Sequence, residues 1–422
     1  MPHPDSVRLI MIIASFVFLV GLLKRPFCGL LSYMIIMMIR PGLYYPILGK
    51  LRIELIVGIL IMIILAFSPK TLARINFKDE PVTRWMFLFI GVMLISTVQS
   101  FDFSSSWETL IEFLKVFLFY LMIITLIENE KDVKIFLWAF IIITCALGYE
   151  AIYNFSHGIM TGNTGGNRTA YAMASTGMAH GHVGQANLLL QAVPFIWYLG
   201  VCQKSTIEKV SGLVLLCFAV FGVIVSASRG AMIGLVVMLI LMTIFSKHRI
   251  LMLLSGSLIL ISVFYYMGSD YQNYMSTILQ GTGSGTSAES RLMGLEHGVE
   301  IMVKRPILGV GPGCYPIARL AWFKWGLWAH NHYGQLMGEL GILGTIVWFG
   351  FLQSYLRKAA NLMKVYEKDS ERVNLFKAVI IISGVRLVIG MAAHSLYIFI
   401  WYLLAAIVAV SVWPSKDADQ KD

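Results

Sequence analysis

Leu213-Val-Leu-Leu-Cys-Phe-Ala-Val-Phe-Gly-Val-Ile-Val-Ser-Ala-Ser-Arg-Gly-Ala231 runs from an unbroken apolar segment into a short polar corner. Past Ala231 a second apolar segment follows, ending at Lys247 and Arg249. Two such segments back to back read as an antiparallel pair of membrane helices, because roughly 20 mostly apolar residues are needed to cross a hydrocarbon core of about 30 Å. The pattern recurs near 7–23, 27–39, 51–67, 82–99, 109–127, 133–152, 183–201, 207–227, 230–246, 249–267, 333–356, 374–390 and 392–413. It predicts an all-α, polytopic membrane protein with about twelve transmembrane helices. Composition agrees: 58% of the 422 residues are hydrophobic, 13% are charged and the mean hydropathy is +0.75. That leaves too little polar surface for a soluble domain.

The net charge of +10 is informative through its placement. Lys24 and Arg25, Lys70 to Lys78, Lys131 and Lys134, Lys204 and Lys209, Lys247 and Arg249, and the run from Arg357 to Lys377 fall in every second connection, which marks those as cytoplasmic. Segments 100–108, 153–182 and 268–332 then face outward, and Met1 starts outside if 7–23 crosses once. The 13-residue run 27–39 is short for a span. Lys24 and Arg25, rather than a small-residue cleavage site, follow the first apolar run, so it is expected to stay attached. Cys28, Cys145, Cys202 and Cys217 fall in or beside apolar spans and Cys314 in an outward loop, a distribution that predicts no disulfide framework. The chain divides into N-terminal membrane helices (1–267), a large outward loop (268–332) and C-terminal membrane helices (333–422).

Residues 153–182 hold six glycines and one charged residue, Arg168, as a mobile flap would. In the larger loop, Leu292, Leu295, Val299 and Met302 recur at near-helical spacing from Ser290 to Arg305, before Pro306, and predict an amphipathic helix lying over the membrane domain. The loop ends in Trp328-Ala-His-Asn-His-Tyr-Gly-Gln-Leu-Met-Gly-Glu-Leu-Gly341, which passes into the next apolar helix. Ionisable groups at a bilayer boundary are costly and point to function.

Arg229, near the outer face, either snorkels to headgroups or binds an anion; its rigid fork matches phosphate oxygens. Arg291, read in the first turn of the loop helix, opposes the helix dipole and so also suggests an anion, whereas Lys304 and Arg305 complement the dipole at the other end. The Gly309-Val-Gly-Pro-Gly313 turn offers backbone amides to a phosphate but lacks the lysine of a P-loop. His330 and His332 fit a general base near neutral pH better than metal ligands, since two-residue spacing alone is no metal signature. Glu339 lies half a helical turn out of phase with His330 and roughly 10 Å from His332, so it needs another partner. His182, Gln185 and Asn187 nearly share one helix face, either as inter-helix hydrogen bonds or as a sugar-contacting surface. Lys115, Arg386 and His394 lie inside or between apolar runs, as a transporter of a lipid-linked or anionic solute would place them.

Taken together, Ser228-Arg-Gly230, Glu289-Ser-Arg291, Arg305-Pro-Ile-Leu-Gly-Val-Gly311, Ala329-His-Asn331 and Gly338-Glu-Leu-Gly341 resemble the O-antigen ligase and polymerase superfamily over about residues 180–345. The opening Arg25-Pro-Phe-Cys-Gly-Leu-Leu31 is similar to the protein O-glycosylation ligase variant. The resemblance implies an inverting, metal-independent glycosyltransferase of the GT-C type in the bacterial inner membrane, acting on the periplasmic side. Its donor would be a glycan on undecaprenyl diphosphate, with no cofactor and no nucleic-acid partner. The acceptor would be lipid A core for a ligase, a second lipid-linked repeat for a polymerase, or a Ser or Thr for a protein glycosylase. Arg229 and Arg291 would hold the diphosphate and His330 would activate the acceptor hydroxyl. His332, Arg168, His182, Gln185, Asn187, Arg305 and Glu339 are expected as possible substrate contacts.

Overall fold

The computed structural model describes residues 3–22, 24–43, 45–66, 80–157, 160–161, 168–169, 181–276 and 287–411. It is built from helices: α1 (Pro4–Gly21), α2 (Pro26–Ile39), α3 (Pro46–Lys50), α4 (Ile53–Ala66), α5 (Pro81–Val98), α6 (Phe103–Leu126), α7 (Glu130–Ser156), α8 (Gly181–Ile196), α9 (Thr206–Val225), α10 (Arg229–Phe245), α11 (Arg249–Tyr266), α12 (Ser269–Ser276), α13 (Ser287–Lys304), α14 (Tyr315–Phe323), α15 (His332–Val365), α16 (Ser370–Ile389) and α17 (Ile400–Val410). Two short antiparallel strands, β1 (Met160–Thr161) and β2 (Arg168–Thr169), lie between α7 and α8. Eight described helices are long and apolar enough to cross a membrane, and four further apolar helices are shorter, at 10–17 residues. The sequence reading of about twelve spans is therefore met by length in eight. An 18-residue helix rises about 27 Å, close to the thickness of the hydrocarbon core.

Local sequence sets the boundaries. Proline occupies the first turn of α1, α2, α5 and α14, where its missing N–H costs nothing. Asp102 caps α6 through Ser105 N (2.8 Å) and Asn129 caps α7 through Asp132 N (3.0 Å). Pairs joining the ends read from the sequence as cytoplasmic tie one end of the bundle: Arg25 with Asp132, Lys134 with Glu371 (2.5 Å), Arg372 with Glu130 (3.1 Å) and Lys358 with Glu80.

Packing is uneven. In α15 and α16, 61% of the apolar window is buried, whereas α11 buries none of it and exposes Leu251, Leu254 and Leu258. Outward-facing leucines are stable where the surroundings are hydrocarbon. The apolar run 392–413 departs from one continuous helix: Gly390–Ala392 is a 3-10 turn, 393–399 is irregular, and only Ile400–Val410 is α-helical. Non-helical backbone at this depth persists only where protein satisfies it or where it lines a cavity. Here Gln335 Oε1 accepts from Leu396 N (3.4 Å), while Ser395 O and Leu396 O accept from Trp401 Nε1 (3.1 Å) and Tyr402 Oη (2.8 Å).

Candidate active site

The loop helix α13 packs against the start of α15 through a face other than the one that carries Leu292 and Val299. Leu292 and Val299 are 47% and 39% exposed, while Gly294, Gly298 and Ile301 are buried. A Cβ on Gly294 would stand 1.8 Å from Ala329 O, and one on Gly298 would stand 2.4 Å from Gly334 O. Missing side chains, rather than an apolar stripe, allow the two backbones to meet. Arg291 precedes Gly294 by three residues and so shares this face. Because α13 starts at Ser287, Arg291 is in the second turn rather than the first, which removes the dipole argument made from sequence.

The Gly-rich turn 309–313 is a joint and not a phosphate cradle. Val310 N and Gly311 N donate to Gly338 O and Glu339 O (3.0 Å each), and Phe101 N donates to Val310 O (2.7 Å). Ser96 Oγ donates to Leu308 O (2.7 Å) and Ser106 Oγ to Pro312 O (2.8 Å). Gly309, Gly311 and Gly313 all have positive φ, and a Cβ on any of them would fall within 2.1–2.4 Å of a neighbour. The amides at 310 and 311 are thus already occupied.

On this joint Asn331 caps α15. Its Oδ1 accepts from Tyr333 N (3.0 Å) and Gly334 N (3.1 Å), and its Nδ2 donates to Met391 O (3.2 Å). The cap fixes the two histidines in opposite settings. His330 lies outside the helix, exposed, on a left-handed backbone with φ +45°, a conformation that costs a non-glycine residue about 1–3 kcal/mol and clusters at functional sites. Its ring is 5.3 Å from that of His394, which stacks on Trp328 (5.5 Å). Partial desolvation, then the guanidinium groups of Arg291 and Arg319, hold the His330 imidazole below the usual histidine range, so it is neutral and able to accept a proton. His332 is instead 1% exposed, with Nδ1 3.1 Å from Ser395 Oγ and its ring 4.4 Å from Trp348. It is packed into the bundle.

Glu339 is fully buried and does have another partner: Tyr397 Oη donates to its Oε2 (2.6 Å), with Gln335 Nε2 at 3.5 Å. Gln185 Nε2 donates to Leu147 O and so takes the helix-joining role, while Asn187 lines a cleft beside α16. Arg305 follows α13 and is exposed. Arg168 is in β2 and His182 in α8, with side chains outside the described residues. Arg229 is the first residue of α10, half-buried, behind the Ser228 cap, whose Oγ accepts from Ala231 N (3.3 Å). Lys115 is paired with Glu112 (2.5 Å) and Glu54 (3.7 Å). Among the described residues no group of three His, Cys, Asp or Glu is placed to hold a metal ion.

Arg319 escaped the sequence reading. It is fully buried, and its Nε donates to His297 Nδ1 (2.8 Å) while Nη1 donates to Leu327 O (3.3 Å) and Trp328 O (3.2 Å), the carbonyls that lead into His330. His297 stacks on Phe323 (4.2 Å); burial and Arg319 keep its ring neutral, with the proton on Nε2. The available signal was Arg319's place as the lone charge between Tyr315 and Phe323.

No curated relative matches the chain. Residues 213–349, which span Arg229, Arg291, His330 and Glu339, match the family model described as O-Antigen ligase. This matched segment, together with helices of membrane-crossing length, makes the chain similar to the O-antigen ligase family over residues 213–349.

Proposed function

We propose that this protein transfers a glycan from an undecaprenyl-diphosphate-linked donor to an acceptor hydroxyl, at the periplasmic end of a GT-C-type bundle of about twelve spans in the bacterial inner membrane. The large loop 268–332, with its helix, is on the periplasmic side, between membrane domains 1–267 and 333–422. Lipid A core is the leading acceptor, which makes the activity O-antigen ligase-like. A second lipid-linked repeat or a protein hydroxyl would make it a polymerase or a protein O-glycosylation ligase.

The observation that carries the reading is the accessible, neutral imidazole of His330, on strained backbone and within the electrostatic reach of Arg291, inside the family-matched segment. In the reaction His330 takes the proton of the acceptor hydroxyl as its oxygen attacks the anomeric carbon. The bond to the diphosphate oxygen breaks on the opposite face, so configuration inverts. The departing undecaprenyl diphosphate gains negative charge, which Arg229 and Arg291 hold. Diphosphate is a good leaving group, so cations and a base suffice without a metal or cofactor. Arg319 orients the chain entering His330 and does not touch substrate.

Purified protein incubated with lipid-linked glycan and each candidate acceptor tests this directly. Joined product together with free undecaprenyl diphosphate is expected with one acceptor. Movement of intact donor across a bilayer without release of the carrier would favour transport instead.

A further inference from the structure

Behind the start of α15, helices α8 and α16 and the irregular stretch 393–399 enclose a cleft. Its polar lining is Asn187, Gln191, Arg386 and Ser395, among apolar groups such as Ile389 and Phe399. Four arginines are buried among the described residues, and three are engaged by the protein. Arg8 pairs with Asp5 (2.6 Å) and Glu150 (2.5 Å), Arg372 pairs with Glu130 (3.1 Å), and Arg319 binds His297 and two carbonyls. Arg386 is different. It is 3% exposed, its guanidinium lies over the Trp401 ring (4.9 Å), and its enclosed Nε has no hydrogen-bond partner among the described residues. Asn187 Oδ1 and His332 Nε2 are likewise enclosed without a partner, and Gln191 is 3% exposed.

A buried guanidinium without a counter-charge is costly, and the cost is tolerated where an anion arrives. The lining is rich in donors: a rigid cationic fork, two side-chain amides and a hydroxyl, which suits an oxyanion with several acceptor oxygens. Apolar walls beside it suit the alkyl chain of an amphiphile. The place is relevant too. Arg386 lies in the last turn of α16, whose following turn receives the Asn331 hydrogen bond at Met391 O. Gly234 of α10, the helix that Arg229 begins, packs on Val385 and Ile389 of the same turn.

We infer that Arg386, with Asn187 and Gln191, forms a second anion subsite that takes the phosphate end of a lipid, the donor or the released carrier of the proposed reaction. The inference rests on that reaction for its substrate, and on an enclosed Arg386 Nε that no described residue satisfies for its existence.

The test uses the full chain in phosphatidylcholine nanodiscs with farnesyl diphosphate as probe, in an Arg229→Ala/Arg291→Ala background that removes the first site. Farnesyl diphosphate is expected to bind and raise the Tm of this background. Adding Arg386→Gln should weaken binding about tenfold or more, the loss typical of a charge-assisted contact. If Arg386→Gln does not fold, Asn187→Leu and Gln191→Leu should each show the loss. Competition by inorganic diphosphate would support recognition of the anion alone, and competition by phosphatidylglycerol would assign the site to bulk headgroups. Unchanged affinity in folded Arg386→Gln, or in both folded amide variants, overturns the subsite. If wild-type protein transfers no glycan yet Arg386-dependent binding persists, the proposed reaction fails and the subsite stands.

Discussion

The joint between α13 and α15 and the cleft beside α16 lie on two sides of one helix start, and they treat polar groups in opposite ways. At the joint, backbone amides, the Ser96 and Ser106 hydroxyls and Glu339 Oε2 are taken up by neighbouring protein, and glycines at 294, 298, 309 and 334 let the chains touch. In the cleft, Arg386 Nε and Asn187 Oδ1 have no hydrogen-bond partner among the described residues. The difference separates motif residues that build from those left to bind. It also divides the histidine pair: His332 belongs to the packed interior, and His330 stands at its edge.

The contrast can be broken most forcefully at the joint. Gly294→Val puts a side chain 1.8 Å from Ala329 O at the first atom, so about 3 kcal/mol or more of destabilisation is expected, read as loss of monodisperse protein in gel filtration. Normal yield and Tm would show that the backbones are not in contact there. Tyr397→Phe removes the donor at Glu339 Oε2 and should cost about 1–3 kcal/mol in thermal or chemical unfolding. A neutral outcome would mean that Glu339 is satisfied elsewhere.

A smaller effect sharpens the role proposed for His330. In the proposed reaction the base works when neutral, so the rate should rise as pH increases through its pKa. Because burial, Arg291 and Arg319 lower that pKa, the acid limb should lie below the value of about 6.5 for a free imidazole. Arg291→Gln removes one repelling cation and should move the limb to higher pH, measured on kcat/KM for the donor, which reports the free enzyme. No movement would separate Arg291 from His330. Least of all should follow from Leu254→Ala on exposed α11: a change in unfolding free energy within the roughly 0.5 kcal/mol usual for surface positions. A larger loss would reveal a packing partner for that helix.

Much of the fold was legible because hydrocarbon imposes length and apolarity on each span, and because lysine and arginine mark one side. Contacts made by what is missing were harder to read. Gly294-x-x-x-Gly298 and Gly334-x-x-x-Gly338 are spaced for close helix approach, but the leucines between them draw attention to the other face of α13. Arg291 and His330 drew attention because charge in a boundary segment is conspicuous, and the structure brings them within electrostatic reach. Arg319 and Tyr397 were not, since their roles depend on the loop folding back from 319 to 328 and on the irregular stretch 393–399, neither of which has a periodic signature.

The central claim is that the outer histidine, not the packed one, removes the acceptor proton. The decisive measurement is the initial rate of glycan transfer by folded His330→Ala and His332→Gln, each with its Tm. His330→Ala should lose about 10²–10⁴-fold in rate with Tm unchanged, while His332→Gln should lose stability and retain turnover in the fraction that folds. Near-normal transfer by His330→Ala, or selective loss of chemistry in stable His332→Gln, would contradict the account.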